Sequence, residues 1–479
     1  MSAANPMLQN LGGKDVAVVG AGKTGAAAVR LLQQQGARVH LFDDAPIDKL
    51  KDGLAKNGVV TVDAVRLKAG GLDADAIAAC GVVVLSPGVP RNHVGLQKAL
   101  ASPTCLVVNE LELALASLDP KGIRTCLMVW AITGTNGKST TTTMAGSIAK
   151  ERDPQAFIGG NLGTPLCAAV ADGLTAGTPD KPRLLVVELS SYQLETLQHF
   201  PVHAGAVTNL TPDHLDRYAD AAAYYATKAR LFALLDTATK GGGITLNAAD
   251  EESRRVLFPM VKKAHHPCHF DVAVGKPGIE VKPDQLVARP FNVQISLKNP
   301  RIVGHHNRQN AAAATALALL SGFTANEIQR GLDAYSGIAH RLERVGEHRG
   351  VVWWNDSKAT NVDAAVTALK SFDAGVHLIA GGVGKGSSYG PLVDAARGKV
   401  VSLYTIGQDA PALGQAFAGV VDVVACRDLE TACSKAASRA RLGEHIVLSP
   451  ACASFDQFRD YGHRGERFRA LFADARGAL

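Results

Sequence analysis

Two glycine-rich segments, each set between an apolar run and a helix-forming run, constrain this chain most strongly. The first, Gly20-Ala21-Gly22-Lys23-Thr24-Gly25, follows the apolar stretch Asp15 to Val19. The second, Gly134-Thr135-Asn136-Gly137-Lys138-Ser139-Thr140, follows Leu127 to Ile132. A strand that turns sharply through glycine into a helix opens a β-α-β unit, and repeating that unit builds a parallel sheet with helices packed on it. The fold class read from this pattern is α/β.

Around the first loop, Ala26 to Gln35 reads as a helix closed by Gly36, and Arg38 to Phe42 as the next strand. The apolar runs Val59 to Val65 and Val82 to Leu85 extend the sheet over the first 110 or so residues. Beyond the second loop, strands are expected at Leu184 to Val187 and Ala206 to Asn209. A β-rich stretch is expected over 276–300, and an Ala-rich helix over Ala311 to Leu320. From His340 a third α/β stretch begins, with strands at Val351 to Trp354, Val376 to Ile379, Val401 to Ile406 and Ile446 to Leu448. A length of 479 residues predicts two to four compact units.

Composition narrows the class. Hydrophobic residues are 47% and charged residues 20%, which supports several buried cores and excludes wholesale disorder. The formal charge of +6 suits anionic small molecules better than a nucleic-acid footprint. Eight cysteines without a CxxC pair or regular spacing predict reduced thiols and a cytoplasmic protein. The start lacks the charged and apolar regions of a signal peptide, and no apolar run is long enough to span a bilayer.

The first loop satisfies G-x-G-x-x-G, whose glycines let backbone approach a diphosphate at a helix N-terminus. Asp43, 18 residues after Gly25, sits near the acidic position that accepts a ribose hydroxyl, so this segment alone leaves NAD open. The second loop offers a triphosphate backbone N–H groups, the Lys138 cation, and a hydroxyl at Ser139 or Thr140 for Mg²⁺. It is shorter than a standard phosphate loop, because Gly134 stands only three residues before Gly137.

Glu188 closes a buried strand, where a carboxylate is a natural Mg²⁺ ligand or a structural acceptor. His214 follows another strand and could supply a metal ligand or a substrate hydrogen bond; Lys228, by spacing alone, is a lysine on a helix. Asn307 and Asn310 share one helical face ahead of the Ala-rich helix, which fits either an adenine edge or N-capping. Arg341, Lys358 and Lys385 are cations placed after strands or at helix starts, suited to phosphate or carboxylate groups. His265-His266-Pro267-Cys268-His269 lacks the separated second pair of a zinc site and reads as a loop with surface histidines.

In order along the chain, GTNGKST, ELSSYQLE, NLTPDHLDRY, GHHNRQN, HRLE, NDSKATN and SPACASFDQF resemble the Mur ligases, over nearly the whole length. NDSKATN with SPACASFDQF is similar to the D-glutamate-adding members, and the DNPR signature of the diaminopimelate-adding enzyme is absent. The resemblance implies three domains: residues 1–110 a Rossmann-like unit for uridine diphosphate, 111–337 a P-loop ATPase-like unit, and 338–479 a Rossmann-like amino-acid-binding unit. Closure about residues 110 and 337 is expected from three ligands meeting among three domains.

The implied reaction joins the L-alanine carboxylate of UDP-N-acetylmuramoyl-L-alanine to the amine of D-glutamate with ATP and Mg²⁺, by way of an acyl phosphate, in cytoplasmic peptidoglycan precursor synthesis. Carried over position by position, the resemblance places Thr24 at the diphosphate and Asp43 and Gly88 at the uridine, with Asn161, Ser190 and His214 also on that substrate. It gives Gly134, Asn136, Gly137, Lys138, Ser139 and Thr140 to the ATP phosphates, Asn307 and Asn310 to adenine, and Arg341, Asp356 and Lys358 to the rest of ATP. Ser139 and Glu188 match one metal site, and His214 with a carbamylated Lys228 a second; Lys138, His214, Lys228 and Arg341 carry the catalytic roles. Thr360, Lys385, Ser454 and Phe455 match the D-glutamate pocket, with Tyr461 where Phe is usual. Asp44-Ala45 stands where a related enzyme often has Thr-Arg, and Val383 where one has Asp. A monomer without nucleic-acid or membrane partners is expected. The rival readings are another Mur-type or folate polyglutamate ligase, an NAD-dependent oxidoreductase, and a nucleotide-sensing regulator without chemistry.

Overall fold

Val16 to Val19 are fully buried on both faces of their strand, the mark of a central parallel strand covered by helices above and below. The computed structural model describes residues 6–119, 124–215, 217–236, 242–384, 386 and 388–477. The chain divides into two compact units, Met1–Lys298 with Asn307–Tyr335, and Asn299–His306 with Ser336–Leu479.

The first unit holds two parallel sheets. One comprises β1 (Asp15–Val19), β2 (Arg38–Asp43), β3 (Arg66–Ala69), β4 (Val82–Leu85) and β5 (Leu106–Val108), in the order β3-β2-β1-β4-β5. Because β1 lies between β2 and β4, the strand order reverses there. The crevice at its carboxyl end is where open α/β sheets take ligands. The other comprises β6 (Leu127–Thr133), β7 (Phe157–Gly160), β8 (Arg183–Glu188), β9 (Ala204–Val207) and β10 (Gly243–Leu246), in the order β10-β9-β6-β8-β7. Here β6 is the central strand, so the second glycine loop opens at the equivalent crevice. A small antiparallel sheet follows, of β11 (Ile279–Val281), β12 (Gln285–Ala288) and β13 (Val293–Ser296), as the β-rich reading of 276–300 anticipates.

The second unit has one six-stranded sheet of β14 (Glu343–His348), β15 (Val351–Asn355), β16 (Val376–Gly381), β17 (Val400–Ile406), β18 (Asp422–Ala425) and β19 (His445–Leu448), ordered β14-β15-β19-β16-β17-β18. β14 is antiparallel to β15; the remaining pairs are parallel. Trp353 packs with Phe468 and Phe472 on one face, while Trp354 meets Phe372 on the other. In the first unit, Trp130 on β6 is wholly buried, and its indole N–H donates to Ser321 Oγ at 2.7 Å.

Several boundaries differ from the sequence reading. Val59 to Val65 is not a strand: Gly58 ends the preceding helix at φ +82°, Val59 and Val65 tuck beneath it, and the strand begins at Arg66. As an edge strand β3 needs few apolar residues, so its pattern is weak. The first helix starts at Lys23, inside the glycine motif, because Ala26 N–H already bonds to Gly22 O at 2.9 Å. The Ala-rich helix begins at His305, so the GHHNRQN cluster forms its first turns and does not precede it. The polar edge strands β14 and β18 were not anticipated. The His265 to His269 tract is partly interior: Cys268 is buried and His269 stacks on Phe258 at 4.4 Å, its imidazole pushed down to about 4 by burial. All eight cysteines are free thiols, and no described helix is long and apolar enough to cross a membrane.

Candidate active site

Both glycine loops end in helices whose starts no side chain caps. Gly22 caps the helix Lys23–Gln34 and Gly137 caps Lys138–Lys150, and neither is joined by a side-chain cap. Uncapped N–H groups and the positive end of the helix dipole make an anion cradle. At the first, a Cβ on Gly25 would run into the Gly20 carbonyl, so glycine permits the close helix-to-strand approach. Ser86, after β4, donates through Oγ to Gly20 O at 2.9 Å and joins the two sides of the crevice. Asp43, at the end of β2, accepts from Ala21 N–H at 2.7 Å and Ala45 N–H at 2.8 Å, so its carboxylate buttresses the loop. Thr24 lies in the first helical turn, half-buried, and Gly88 is exposed just beyond Ser86.

The second loop is held by β9 and the segment after it. Thr208 Oγ1 donates to the Asn136 carbonyl at 2.5 Å, Asn136 N–H donates to Asn209 Oδ1 at 2.9 Å, and Thr211 N–H donates to Thr135 Oγ1 at 3.0 Å. Gly137 adopts φ +82°, and a side chain there would collide with the Asn310 amide, which itself accepts from Thr141 Oγ1 at 3.2 Å and donates to Asn307 Oδ1 at 3.2 Å. Thus Asn310 packs against the second glycine loop, and Asn307, one turn earlier on the same helix, is bonded to Asn310. Ser139 and Thr140 are buried in the first turn.

Lys138 Nζ donates to Gly134 O at 3.0 Å and Thr135 O at 2.7 Å, while Lys228 Nζ donates to the same Gly134 O at 2.8 Å. Lys228 is 1% exposed and lies 4.5 Å from the Tyr224 ring centroid. Burial, reinforced by the Lys138 charge, pushes its amine down to about 6. Glu188, last residue of β8, is also buried; Asn161 Nδ2 donates to its Oε1 at 2.6 Å, and its Oε2 has no partner among the described residues. Ser190 caps the short helix Ser191–Leu194 next to it. Tyr224 also neighbours His214, 5.9 Å ring to ring, which adopts a left-handed conformation at φ +55°; Tyr192 OH lies 2.8 Å from its Nδ1.

In the second unit the carboxyl ends of β15, β16 and β19 converge. Asp356 is fully enclosed, accepting from Leu342 N–H at 3.0 Å and Ser449 Oγ at 2.8 Å, and burial pushes its carboxyl up to about 7. Lys358 N–H donates to His340 O at 2.9 Å, and Arg341 beside it has a buried Nη1 with no partner among the described residues. Val383 and Ala453 exchange two backbone bonds of 2.9 Å, which seats Ser454 beside the Gly381-to-Gly384 turn. Val383 therefore acts through its backbone. Ser454 is buried, Thr360 half-buried, and Phe455 and Tyr461 exposed; Lys385 lies outside the described residues.

One organising residue had no sequence signal. Arg464, in the helix Tyr461–Gly477, is buried and donates to Ser357 Oγ at 3.0 Å, Ser357 O at 2.9 Å and Cys452 O at 3.1 Å. Tyr192, Glu195, Arg217 and Tyr224 were also missed individually, although each falls within or near ELSSYQLE and NLTPDHLDRY.

Comparison with known proteins places the chain in a family. Residues 14–107 match the Mur ligase MurD-like, N-terminal domain; residues 132–318 match the Mur ligase middle domain; and residues 340–452 match the Mur ligase, glutamate ligase domain. A UDP-N-acetylmuramoylalanine-D-glutamate ligase of Myxococcus xanthus is 41% identical over 470 residues, covering 96% of this chain and 98% of that protein. One from Anaeromyxobacter dehalogenans is 42% identical over 474 residues, with 96% and 98% covered. A solved UDP-N-acetylmuramate-alanine ligase from Thermotoga maritima shares the fold at a TM-score of 0.57 and 16% identity, covering 96% of this chain and 99% of that one. With three successive domain matches along its length and relatives above two-fifths identity over nearly all of it, the chain belongs to the Mur ligase family.

Proposed function

We infer that this chain is an ATP-dependent ligase that joins the amine of D-glutamate to the L-alanine carboxylate of UDP-N-acetylmuramoyl-L-alanine, in cytoplasmic peptidoglycan precursor synthesis. The observation that carries the reading is the second glycine loop, an uncapped helix start with Lys138 and Lys228 on one carbonyl, in a chain whose near-full-length relatives bear that activity in their names.

A carboxylate is a poor electrophile, so the γ-phosphoryl group of ATP first converts it to an acyl phosphate. The amine of D-glutamate then adds to the acyl carbon, and phosphate leaves as the tetrahedral intermediate collapses. Lys138, the helix start after Gly137 that no side chain caps, and the guanidinium of Arg341 balance charge on the phosphoryl group in flight. Asn307 and Asn310 are assigned to adenine, and Asp356 with Lys358 to the ribose and phosphate side. The first glycine loop, with Thr24, takes the uridine diphosphate; Asp43 and Gly88 flank the uridine, and Asn161, Ser190 and His214 the sugar-alanine end. Thr360, Lys385, Ser454, Phe455 and Tyr461 are assigned to D-glutamate. Three domains with boundaries near residues 110 and 337 follow from the same family likeness.

The donor set fits a divalent cation. Glu188 Oε2 is a buried carboxylate oxygen without a partner among the described residues, the kind of atom a hard cation satisfies, and Ser139 offers a hydroxyl. A second site fits His214 and Lys228 only if the lysine is modified, because an ammonium cannot coordinate a metal. An amine held near 6 is neutral at physiological pH and can add to CO2, releasing a proton and leaving a carbamate, which is a carboxylate-like ligand. Bound there, Mg²⁺ supplies charge neutralisation at the ATP and acyl-phosphate oxygens.

The test is phosphate release from purified protein with ATP, Mg²⁺ and UDP-N-acetylmuramoyl-L-alanine, comparing D-glutamate with L-glutamate, other amino acids and none. Release only with D-glutamate, and a product heavier by one glutamate residue, is the expected result. Release with a different amino acid would reassign the amino-acid pocket, and no release would overturn the ligase reading.

A further inference from the structure

Neither phosphate nor metal chemistry accounts for Arg217, yet its guanidinium is one of the most fully engaged in the first unit. Nε and Nη2 donate to the two oxygens of Glu195, at 3.2 and 2.7 Å, as a fork. The flat face of the same group lies 4.1 Å from the Tyr192 ring centroid. Its remaining nitrogen, Nη1, donates to the carbonyl of Pro87 at 3.1 Å. Glu195 is itself locked by Tyr218 OH at 2.6 Å, and its carbonyl receives Arg91 Nη1 at 2.9 Å from the loop that holds Pro87.

Each end of this chain of contacts leads to a different part of the proposed nucleotide site. Pro87 directly precedes Gly88, on the loop after β4 that closes the first crevice through Ser86. Tyr192 reaches His214 Nδ1 through its hydroxyl at 2.8 Å. One side chain therefore touches the loop assigned to the uridine and the ring that holds the histidine assigned to the acceptor end.

We propose that Arg217 is a positioning residue for the nucleotide substrate, setting the distance between the uridine-side loop and His214 by bonding Pro87 and backing Tyr192 while Glu195 holds its fork. The proposal rests on the functional reading above, in which the substrate spans those two places. Arginine suits the task because it offers a planar fork, a stacking face and a further N–H at once; lysine keeps the charge and loses all three geometries.

The experiment compares the full-length protein with Arg217→Lys and Glu195→Gln, measuring steady-state constants for each substrate, calorimetric binding of UDP-N-acetylmuramoyl-L-alanine and of ATP, and the thermal midpoint. The KM and Kd for the nucleotide-sugar are expected to rise about tenfold in both variants, the loss of roughly one charge-assisted hydrogen bond, with those for ATP and D-glutamate within about twofold. Unchanged nucleotide-sugar binding, or a parallel loss of ATP binding, would assign Arg217 a merely structural role and overturn the proposal. If the unsubstituted protein does not bind the nucleotide-sugar, the functional reading fails first and this inference with it.

Discussion

Lys138 and Lys228 converge on a single oxygen, the Gly134 carbonyl, at 3.0 and 2.8 Å. Two ammonium groups so close repel, and the more deeply buried one yields: Lys228 is pushed down to about 6, first by desolvation and then by Lys138. Its folded value lies below its unfolded one, so the unfolded chain binds more protons between them, and stability from this group rises with pH from about 6 upward. Above that pH the amine is neutral and can react with CO2. Phosphate release is therefore expected to fall in degassed buffer and to recover with bicarbonate at about pH 8, with no recovery at about pH 5, where the group is an ammonium. Lys228→Ala should remove the bicarbonate response altogether; a response that survives in this variant would place the modified group elsewhere.

Gly137 supplies a backbone conformation that other residues resist. Substitution by Ala strains φ +82° and drives Cβ into the Asn310 amide, at an expected cost of about 1–3 kcal/mol. ATP affinity should fall at least about tenfold, since a shift of about 1.4 kcal/mol in the cradle already gives that factor. Adding Asn310→Ala relieves the collision and leaves the strained dihedral, so calorimetry should show partial recovery only.

Glu110 opens the helix Glu110–Leu118 and is fully buried; its Oε2 accepts from Cys167 N–H at 2.9 Å, while Oε1 has no partner among the described residues. Burial pushes its carboxyl up to about 7. The folded state thus holds a proton that the unfolded state releases near 4.5, so stability is full below that pH and is lost as pH rises through about 7. Glu110→Gln should raise the thermal midpoint at pH 8 and leave it little changed at about pH 4.5, a differential of about 3 kcal/mol for the full linkage of the raised carboxyl. Equal midpoint changes at both pH values would contradict the buried-proton account.

Arg464 ties three segments of the second unit through Ser357 Oγ and O, Cys452 O and Gly381 O. Arg464→Met removes the donor and leaves buried carbonyls unpaired, so urea unfolding should show a loss of about 3 kcal/mol. Arg464→Lys, reaching fewer of those oxygens, should lose less.

The two glycine loops were legible because a strand, a glycine turn and a helix write a local pattern, and Glu188 was legible because a single carboxylate stands out at the end of an otherwise apolar run. Lys228 was not legible from spacing: its partner carbonyl lies 94 residues away, and a lysine on an exposed helix looks the same. Arg464 was hidden for the same reason, with Ser357 at 107 residues' separation. The start of the helix His305–Leu320 was placed too late, at Ala311, because its first turns are polar. Their side chains bond across the fold, Gln309 to Asp271 at 2.7 Å and Asn310 to Thr141 at 3.2 Å, and such distant partners leave no periodic trace. Val59 to Val65 failed the other way, since apolar residues tucked beneath a helix end mimic a strand.

The placement of the tryptophans gives the protein its own optical labels. Of three, Trp130 alone lies in the first unit, sealed from water with its indole N–H bound to Ser321, while Trp353 and Trp354 both lie in the second. A Trp353→Phe, Trp354→Phe double variant would emit from Trp130 only, and Trp130→Phe would emit only from the other pair. Following the red shift of each variant through a denaturant series reads the melting of each unit separately, and reveals whether the half that carries the phosphate cradle and the half that carries Arg464 come apart together or in turn.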